Sequence, residues 1–164
     1  MMSPEDSMTS QSGREKALGR AYRVLGARPR SEEEMRRRLR HSGVEEATIE
    51  EVIAHLKSVK LLDDQTFAAN WTQSRMRSRP RSKRLVQREL TEKGVSSETA
   101  DEATRDIDDD DTALALATRR VELLRGLDRK TRMRRLSNYL LGRGFGRDTI
   151  TRTLTAVLNN EDHS

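Results

Sequence analysis

Apolar positions recur in this chain as three copies of one pattern, displaced by 51 and then 50 residues. In the first copy, Met35 and Leu39 precede Gly43 and Val44. The equivalent residues of the later copies are Val86, Leu90, Gly94 and Val95, then Leu136, Leu140, Gly144 and Phe145. An apolar pair at i and i+4 is typical of a helix with one buried face. Tandem copies of such a helical unit predict a repeat protein whose units stack on their neighbours.

Each copy predicts three helices, most clearly in the first. A first helix spans roughly 14–25, and a third spans about 46–59. Ser31 can cap the second helix, and Glu34 three residues later completes a capping box. Gly43 then ends that helix in a left-handed turn, as in a Schellman motif. In the later copies the predicted caps of the second helix are Ser82 and Thr131.

We therefore predict an all-α fold of three tandem three-helix repeats that form an elongated, curved array. A helical repeat cannot bury its apolar face alone, so each unit depends on its neighbours. The predicted divisions are a disordered N-terminal tail at 1–13, repeats at 14–62, 63–107 and 112–159, an acidic linker or helix start at 108–111, and a C-terminal tail at 160–164.

Composition limits the size of the core and the class of protein. Only 33% of the 164 residues are hydrophobic and 36% are charged, so the core must be thin and drawn out. Among the few aromatic residues, Tyr22 and Phe145 are predicted to lie in it. No cysteine is present, which is compatible with a reducing compartment, and no stretch reaches the roughly 18 apolar residues of a membrane helix. We expect a cytoplasmic protein without membrane association.

The sequence offers no catalytic constellation. His41, His55 and His163 are too scattered to predict a metal site. The glycine-containing segment 142–146 lacks the Lys-Ser/Thr partner of a phosphate loop and follows a helix rather than a strand. We therefore expect a binding protein rather than an enzyme, with no catalytic, metal-binding or cofactor-binding residues and no cofactor.

Clusters of basic residues are the candidate binding residues. The net charge is +5, and two runs contain no acidic residue. Such runs favour contact with a polyanion or an acidic protein surface. The alternatives are helix-dipole complementarity at a helix C-terminus and an ordinary solvated face. The first run comprises Arg75, Arg77, Arg79, Arg81, Lys83, Arg84 and Arg88, and the second comprises Arg129, Lys130, Arg132, Arg134 and Arg135.

A third basic run, at 36–40, has a simpler explanation. Acidic residues lie one helical turn before it, so Glu32 can pair with Arg36, and Glu33 with Arg37. Intrahelical ion pairs of this kind account for much of the run, and we rank it below the other two as a binding surface.

Trp71 and the acidic segments each admit two interpretations. Trp71 could stack on a nucleobase, but it lies four residues after Phe67 on an apolar face, which favours core packing. Asp63 and Asp64 could bind a metal, but they directly precede a helical pattern, which favours helix capping. The run at 108–111 favours a solvated linker that begins the next helix, with contact to a basic partner as the alternative.

Several motifs together resemble the RecX family, whose members regulate the bacterial recombinase RecA. The resemblance covers about residues 17–158 and depends on the order, spacing and repetition of the motifs rather than on any one of them. They are Ser31-x-x-Glu34-x-x-x-x-Leu39, Leu61-Leu62-Asp63-Asp64, Phe67-Ala68, Arg75, the segment 82–90, Gly94-Val95 and Arg143-Gly144-Phe145.

The resemblance implies a function that the residues alone do not. Proteins of this family are curved rods of three three-helix repeats that bind RecA and its filaments on single-stranded DNA. They reduce ATPase, strand-exchange and coprotease activity by lying in the filament groove and by blocking filament growth. For this chain we expect a monomer whose partners are RecA, its filament and single-stranded DNA, with double-stranded DNA left open. The alternative is a general basic helical DNA-binding protein that does not regulate RecA.

Overall fold

The computed structural model describes the backbone of residues 4–161 and the side chains of residues 11–159. Every regular element in this range is an α-helix. The helices are α1 (Pro4–Ala27), α2 (Glu32–His41), α3 (Glu46–Ser58), α4 (Asp64–Ser78), α5 (Lys83–Glu92), α6 (Ser97–Ala103), α7 (Asp109–Glu122), α8 (Arg129–Gly142) and α9 (Arg147–Glu161).

The helices pack in consecutive groups of three. Each helix contacts the other two of its group, so α1–α3 form unit one, α4–α6 unit two and α7–α9 unit three. The predicted all-α fold of three tandem three-helix units is confirmed. Packing within a group follows from short connections, which make sequential helices neighbours in space.

Each unit has its own small hydrophobic core. The buried residues of unit one are Ala17, Ala21, Met35, Leu39, Ile49, Val52, Ile53, Leu56 and Leu62. Those of unit two are Phe67, Ala68, Val86, Leu90, Val95 and Ala100. Those of unit three are Ala113, Leu116, Ala117, Val121, Leu124, Leu136, Leu140, Phe145, Ile150, Val157 and Leu158. Each cluster is confined to one unit, so the contacts between units lie outside the three cores.

The second helix of every unit ends in the same turn. Gly43, Gly94 and Gly144 have φ angles of 77°, 82° and 86°, in the left-handed region that glycine adopts without strain. The next residue folds back on the helix in each case. Its backbone amide donates to the carbonyl five residues earlier, as with Val44 and Leu39 at 3.2 Å. The predicted Schellman turn is confirmed in all three units.

Two of the three predicted caps of the second helix are confirmed. Ser31 and Glu34 form the full capping box, and the Ser82 side chain accepts a hydrogen bond from the amide of Leu85. The prediction of Thr131 as a cap in unit three is wrong. There the helix begins earlier, and the carboxylate of Asp128 accepts from the amide of Thr131 at 3.0 Å.

The chain ends differ from the predicted tails. Helix α1 begins at Pro4, inside the segment predicted as a disordered tail, and α9 continues to Glu161. Proline is well suited to the first helical position, and no glycine or proline interrupts residues 5–12. The remainder of the two predicted tails, residues 1–3 and 162–164, lies outside the described residues.

The buried face predicted for the first helix is wrong at Tyr22. Tyr22 is 44% exposed, with its hydroxyl 3.2 Å from Nε2 of His55, although it was predicted in the core. The buried face of α1 is formed instead by Ala17 and Ala21, whose small side chains let α1 approach its neighbours closely. Phe145, the other aromatic residue predicted in the core, is buried.

The same contact joins unit one to unit two and unit two to unit three. Asp64, the first residue of α4, accepts a hydrogen bond from the amide of Glu32 at 2.8 Å. Asp109, the first residue of α7, accepts from the amide of Lys83 at 2.7 Å. In both cases an aspartate of the following unit binds an amide that the first turn of a helix leaves without an intrahelical partner. We call these two places the junctions.

Each junction also places a glycine turn against the preceding unit. A Cβ added at Gly94 would overlap Glu33, and one added at Gly144 would lie 2.6 Å from Oγ of Ser82. Hydrogen bonds accompany both contacts. Ser31 Oγ donates to the carbonyl of Lys93 at 2.5 Å, and the amide of Ser82 donates to the carbonyl of Arg143 at 2.9 Å. The units therefore meet through repeated, close backbone contacts.

Candidate binding surface

The first basic run contains residues with very different environments. Arg75 lies in the last turn of α4, and Arg81 lies in the connection to α5. Both pair with Glu89, and Nε of Arg75 is 3.0 Å from its Oε2. Arg81 is buried, so much of its hydration is replaced by this carboxylate. Arg75 and Arg81 therefore stabilise unit two rather than offer free positive charge.

Trp71 belongs to the same network. Its Nε1 donates to Glu89 at 3.1 Å, and its ring stacks on Phe67 with 6.1 Å between centroids. The guanidinium of Arg75 lies 4.4 Å from the ring centroid and the ammonium of Lys93 lies 4.2 Å from it. The half-buried indole is thus enclosed by its own unit. The core-packing interpretation of Trp71 is confirmed.

Two further members of the run also have partners. Lys83 Nζ donates to the carbonyl of Arg105 at 3.2 Å, at the end of unit two. Arg88 forms an exposed i, i+4 pair with Glu92 at 2.9 Å. Exposed pairs of this kind contribute little to stability, so Arg88 can exchange its partner at small cost.

The remaining arginines of the first run are exposed and have no side-chain partner among the described residues. Arg77, Arg79 and Arg84 make no side-chain hydrogen bond or ion pair with any residue among those whose side chains the structure describes. Arg77 lies in the last turn of α4, Arg79 in the short connection that follows, and Arg84 in the first turn of α5. We call Arg77, Arg79 and Arg84 the open arginines. Their guanidinium groups can bind an external carboxylate or phosphate without breaking an internal bond.

The second run lies on α8, and two of its members line a recess. Lys130 and Arg134, together with Met133 and Leu154, border an open cavity of about 620 Å³. Met133 is 47% exposed, so the lining of the recess is part apolar and part basic. Such a surface suits a partner with both apolar and acidic groups.

The other members of the second run have separate settings. Arg129 donates to the carbonyl of Leu158 and to the side chain of Asn159, each at 3.3 Å, near the end of α9. Arg132 is half-buried, and Arg135 is exposed. The structure thus brings Lys130 and Arg134 to one recess, while Arg129 interacts with the last helix.

The third run is largely paired, as predicted. Arg36 lies 3.5 Å from Glu32, and Arg37 lies 3.0 Å from Glu33, so the two predicted intrahelical pairs are confirmed. Arg36 also pairs with Glu50 at 2.8 Å. Hydrogen bonding to that carboxylate raises the pKa of Arg36 and lowers the pKa of Glu50.

The aspartates predicted as caps have two roles. Asp63 caps α4, and hydrogen bonds from the backbone and side chain of Thr66 lower its pKa. Asp64 instead binds α2 of the preceding unit, and burial raises its pKa above the ordinary value. Capping of α4 is therefore confirmed for Asp63 alone, whereas the contact of Asp64 with the preceding unit was not predicted.

The acidic run at 108–111 begins α7, as predicted, and three of its residues make contacts within the protein. Asp108 is the N-cap of α7, and Asp109 forms the second junction. Asp110 binds Arg152 at 2.8 Å, and this hydrogen-bonded partner lowers the pKa of Asp110. Most of these carboxylates are therefore used within the protein rather than presented to a partner.

The described residues offer neither a metal site nor a membrane-spanning helix. Among them, no group of three or more histidine or acidic side chains is placed to hold a metal ion. None of their helices has the length and apolar character needed to cross a membrane. The chemistry that the described surface does offer is cationic, and it suits phosphate or carboxylate partners.

Comparison with known proteins matches all three units to one family. The family models described as the first, second and third three-helix domains of RecX match residues 17–56, 63–103 and 108–154. A protein of Prosthecochloris aestuarii named "Regulatory protein RecX" is 38% identical over 151 residues, which cover 92% of this chain and 99% of the relative. A protein of Streptomyces coelicolor with the same name is 33% identical over 150 residues, covering 90% of this chain and 80% of the relative.

The fold is also similar to solved structures. The crystal structure of RecX from Lactobacillus salivarius superimposes with a TM-score of 0.79 at 20% identity, covering 90% of this chain and 97% of that one. A second structure, titled "Crystal structure of regulatory protein RecX", gives a TM-score of 0.77 at 18% identity and covers 93% of this chain and 78% of that one. At this identity the likeness concerns the fold alone.

Proposed function

Because this chain belongs to the RecX family of regulatory proteins, we propose that it binds the RecA recombinase, both alone and as a filament on single-stranded DNA. Binding lowers the ATPase, strand-exchange and coprotease activities of RecA. The protein acts as a cytoplasmic monomer and is not itself an enzyme. Membership of the family supports RecA as the partner, and the exposed basic residues support the proposed mode of binding.

The mechanism we propose is occupation of the filament groove together with a block to filament growth. Three units joined by the same junction contact form an elongated, curved array, whose surface repeats at regular intervals. A filament is also periodic, so successive units can contact successive subunits, and several weak contacts then act as one strong one. A protein held along the groove competes with incoming DNA and with added subunits.

The observation that carries this proposal is the presence of the open arginines beside the α4–α5 connection. Arg75 and Arg81 of the same run are held by Glu89, whereas Arg77, Arg79 and Arg84 are exposed. An arginine that is already paired must give up its internal ion pair on binding. An arginine without an internal partner gives up only its bound water. We therefore assign filament contact first to the open arginines and second to the recess lined by Lys130 and Arg134.

A second candidate function is general DNA binding, which the same arginines also support. Phosphate contacts dominate such binding, and affinity then falls steeply as salt concentration rises. The two functions differ in what happens without RecA. A general binder holds single-stranded DNA tightly by itself, whereas a filament regulator binds the filament more tightly than it binds the DNA.

The test is co-sedimentation with RecA filaments on single-stranded DNA at several salt concentrations. The variant is the triple change Arg77→Gln, Arg79→Gln and Arg84→Gln. We expect it to weaken filament binding by at least roughly tenfold, or about 1.4 kcal/mol. The matched control is Arg40→Gln, Arg105→Gln and Arg125→Gln, which removes the same charge from exposed arginines that pair with nearby glutamates. Equal binding by the two triple variants would overturn the role of the open arginines.

A further inference from the structure

A second cationic recess lies in unit one, away from the first and second basic runs, and it includes Arg38 of the third run. It is an open cavity of about 410 Å³ between α1, the α1–α2 connection and the end of α2. Four arginines line it, and no acidic residue does. They are Arg20, Arg23, Arg30 and Arg38. We call this cavity the arginine recess.

The arginines come from α1, the α1–α2 connection and α2, and the two on α1 are held by backbone carbonyls. Arg20 reaches from α1 to the carbonyl of Ser42 at 2.9 Å, and Arg23 donates to the carbonyl of Gly19 at 3.3 Å. These bonds orient the guanidinium groups without neutralising their charge. Arg38 has no ion-pair partner within the described residues, unlike Arg36, Arg37 and Arg40 of the same helix.

Arg30 is the feature that indicates a ligand. Its Nε is buried and has no hydrogen-bond partner among the described residues. A buried donor without a partner costs free energy, and proteins rarely leave one unsatisfied. Burial first, and then the positive charges of Arg28 and Arg38, lower the pKa of Arg30, whereas Glu34 opposes this shift.

Glu34, an acidic residue close to Arg30, already forms ion pairs with two other residues. Glu34 lies close enough to Arg30 to act on its charge, but its carboxylate binds Arg28 at 3.1 Å and Lys93 at 3.2 Å. Among the residues whose side chains the structure describes, none forms an ion pair with the four arginines of the recess. An external anion bound in the recess would supply the missing negative charge beside Arg30 and its neighbours.

We propose that the arginine recess is a phosphate-binding site. A phosphate group presents several acceptor oxygens in different directions, which matches guanidinium groups converging from two helices and a loop. A single carboxylate has only two oxygens in one plane and satisfies fewer of them. The phosphate can belong to the backbone of single-stranded DNA or to a small polyphosphate. The site requires no RecA, so it stands apart from the proposed function.

The experiment is isothermal titration of the full chain, without RecA, against sodium pyrophosphate and separately against a short oligodeoxythymidylate. The variant is Arg38→Gln, and the matched control is Arg40→Gln. Both residues are exposed on α2, but only Arg38 lines the recess, whereas Arg40 pairs with Glu46 at 2.6 Å. The double change Arg23→Gln and Arg38→Gln, at two exposed positions, provides a second variant that should fold normally.

We expect wild-type protein to bind at least one probe, with affinity reduced roughly tenfold by Arg38→Gln and nearly unchanged by Arg40→Gln. Loss of both probes in the variant would make the DNA backbone the natural source of phosphate, and loss of pyrophosphate alone would indicate a small polyphosphate. Absence of binding to either probe by the wild-type protein, or equal weakening by Arg38→Gln and Arg40→Gln, would overturn the proposal.

Discussion

The carboxylate of Asp109 accepts a hydrogen bond from the backbone amide of Lys83, 2.7 Å away, across the junction between units two and three. Asp64 makes the same contact with Glu32 one unit earlier. An aspartate that begins one unit thus satisfies a helix end of the unit before it. Because each unit has a separate hydrophobic core, these polar contacts are central to how the units are held together.

Removal of the Asp109 carboxylate should therefore loosen the second junction. We expect Asp109→Ala to lower the free energy of unfolding by about 1 kcal/mol, as for the loss of a helix cap. Asp111→Ala is the matched control, since it removes the same charge from the same first turn of α7. Urea unfolding measures both. Equal losses would show that the effect of Asp109 comes from α7 alone and not from the junction.

The glycine turns give a second test of the junctions. Gly43 and Gly94 both have positive φ, so alanine at either position should cost about 1–2 kcal/mol in backbone strain. Gly94→Ala should cost more, because its Cβ would overlap Glu33, whereas nothing lies within 4 Å of a Cβ at Gly43. Chemical denaturation of the two variants compares them directly. A loss at Gly94 no larger than that at Gly43 would contradict the close approach of the units.

Glu89 should be far more important than its sequence context indicates. It binds Arg75, Arg81 and Trp71 together, and Arg81 is buried. We expect Glu89→Ala to destabilise the protein by about 3 kcal/mol, since it leaves a buried guanidinium without its partner. The control is Glu92→Ala on the same helix.

Glu92 pairs with Arg88 at an exposed position, so its loss should change stability by less than about 0.5 kcal/mol. Thermal unfolding of the two variants separates these expectations. Similar melting temperatures for Glu89→Ala and Glu92→Ala would show that Arg81 finds another partner when Glu89 is removed.

The contact between Glu34 and Lys93 across the first junction should depend on pH. Burial alone would raise the pKa of Glu34, but hydrogen bonds from Arg28, Lys93 and the amide of Ser31 bring it below its ordinary value of 4.5. A carboxyl group whose pKa is lower in the folded state stabilises the fold above its unfolded pKa, and this contribution is lost as pH falls through the folded pKa.

We therefore expect wild-type protein to be more stable than Glu34→Gln at neutral pH, and the difference to shrink below pH 4.5. Urea titrations at a series of pH values measure this difference. A constant difference from neutral pH down to about pH 3 would mean that the Glu34 charge does not contribute to the junction.

Local features of this fold could be predicted from the sequence, because their causes lie within a few residues. The Schellman turns at Gly43, Gly94 and Gly144 and the caps at Ser31 and Ser82 are of this kind. Each requires one residue type at one position of a helix. The pattern of i, i+4 apolar pairs fixed the buried faces of the second helices for the same reason.

The contacts between units could not be predicted in this way. Glu32 and Asp64 are separated by 32 residues, but Lys83 and Asp109 are separated by 26. The separations differ because α3 has 13 residues and α6 has only 7, so the two junction aspartates do not align at the repeat offset. The common role of these aspartates is visible only in three dimensions.

The candidate binding residues show the same limit. From Arg75 to Arg88 there are seven basic residues, and nothing in the sequence distinguishes those that are paired from those that are exposed. Only the fold brings Glu89 against Arg75 and Arg81 and leaves Arg77 and Arg84 exposed. Charge along a chain therefore predicts that a basic surface exists, whereas packing decides which of its members are available.

The most direct test of the proposed function is ATP turnover by the cognate RecA on single-stranded DNA, titrated with this protein well below one molecule per RecA subunit. We expect inhibition at these low ratios, since a protein that occupies the groove and blocks growth acts on many subunits at once. No inhibition until the protein is abundant enough to coat the DNA would contradict filament regulation and would indicate a general DNA-binding protein.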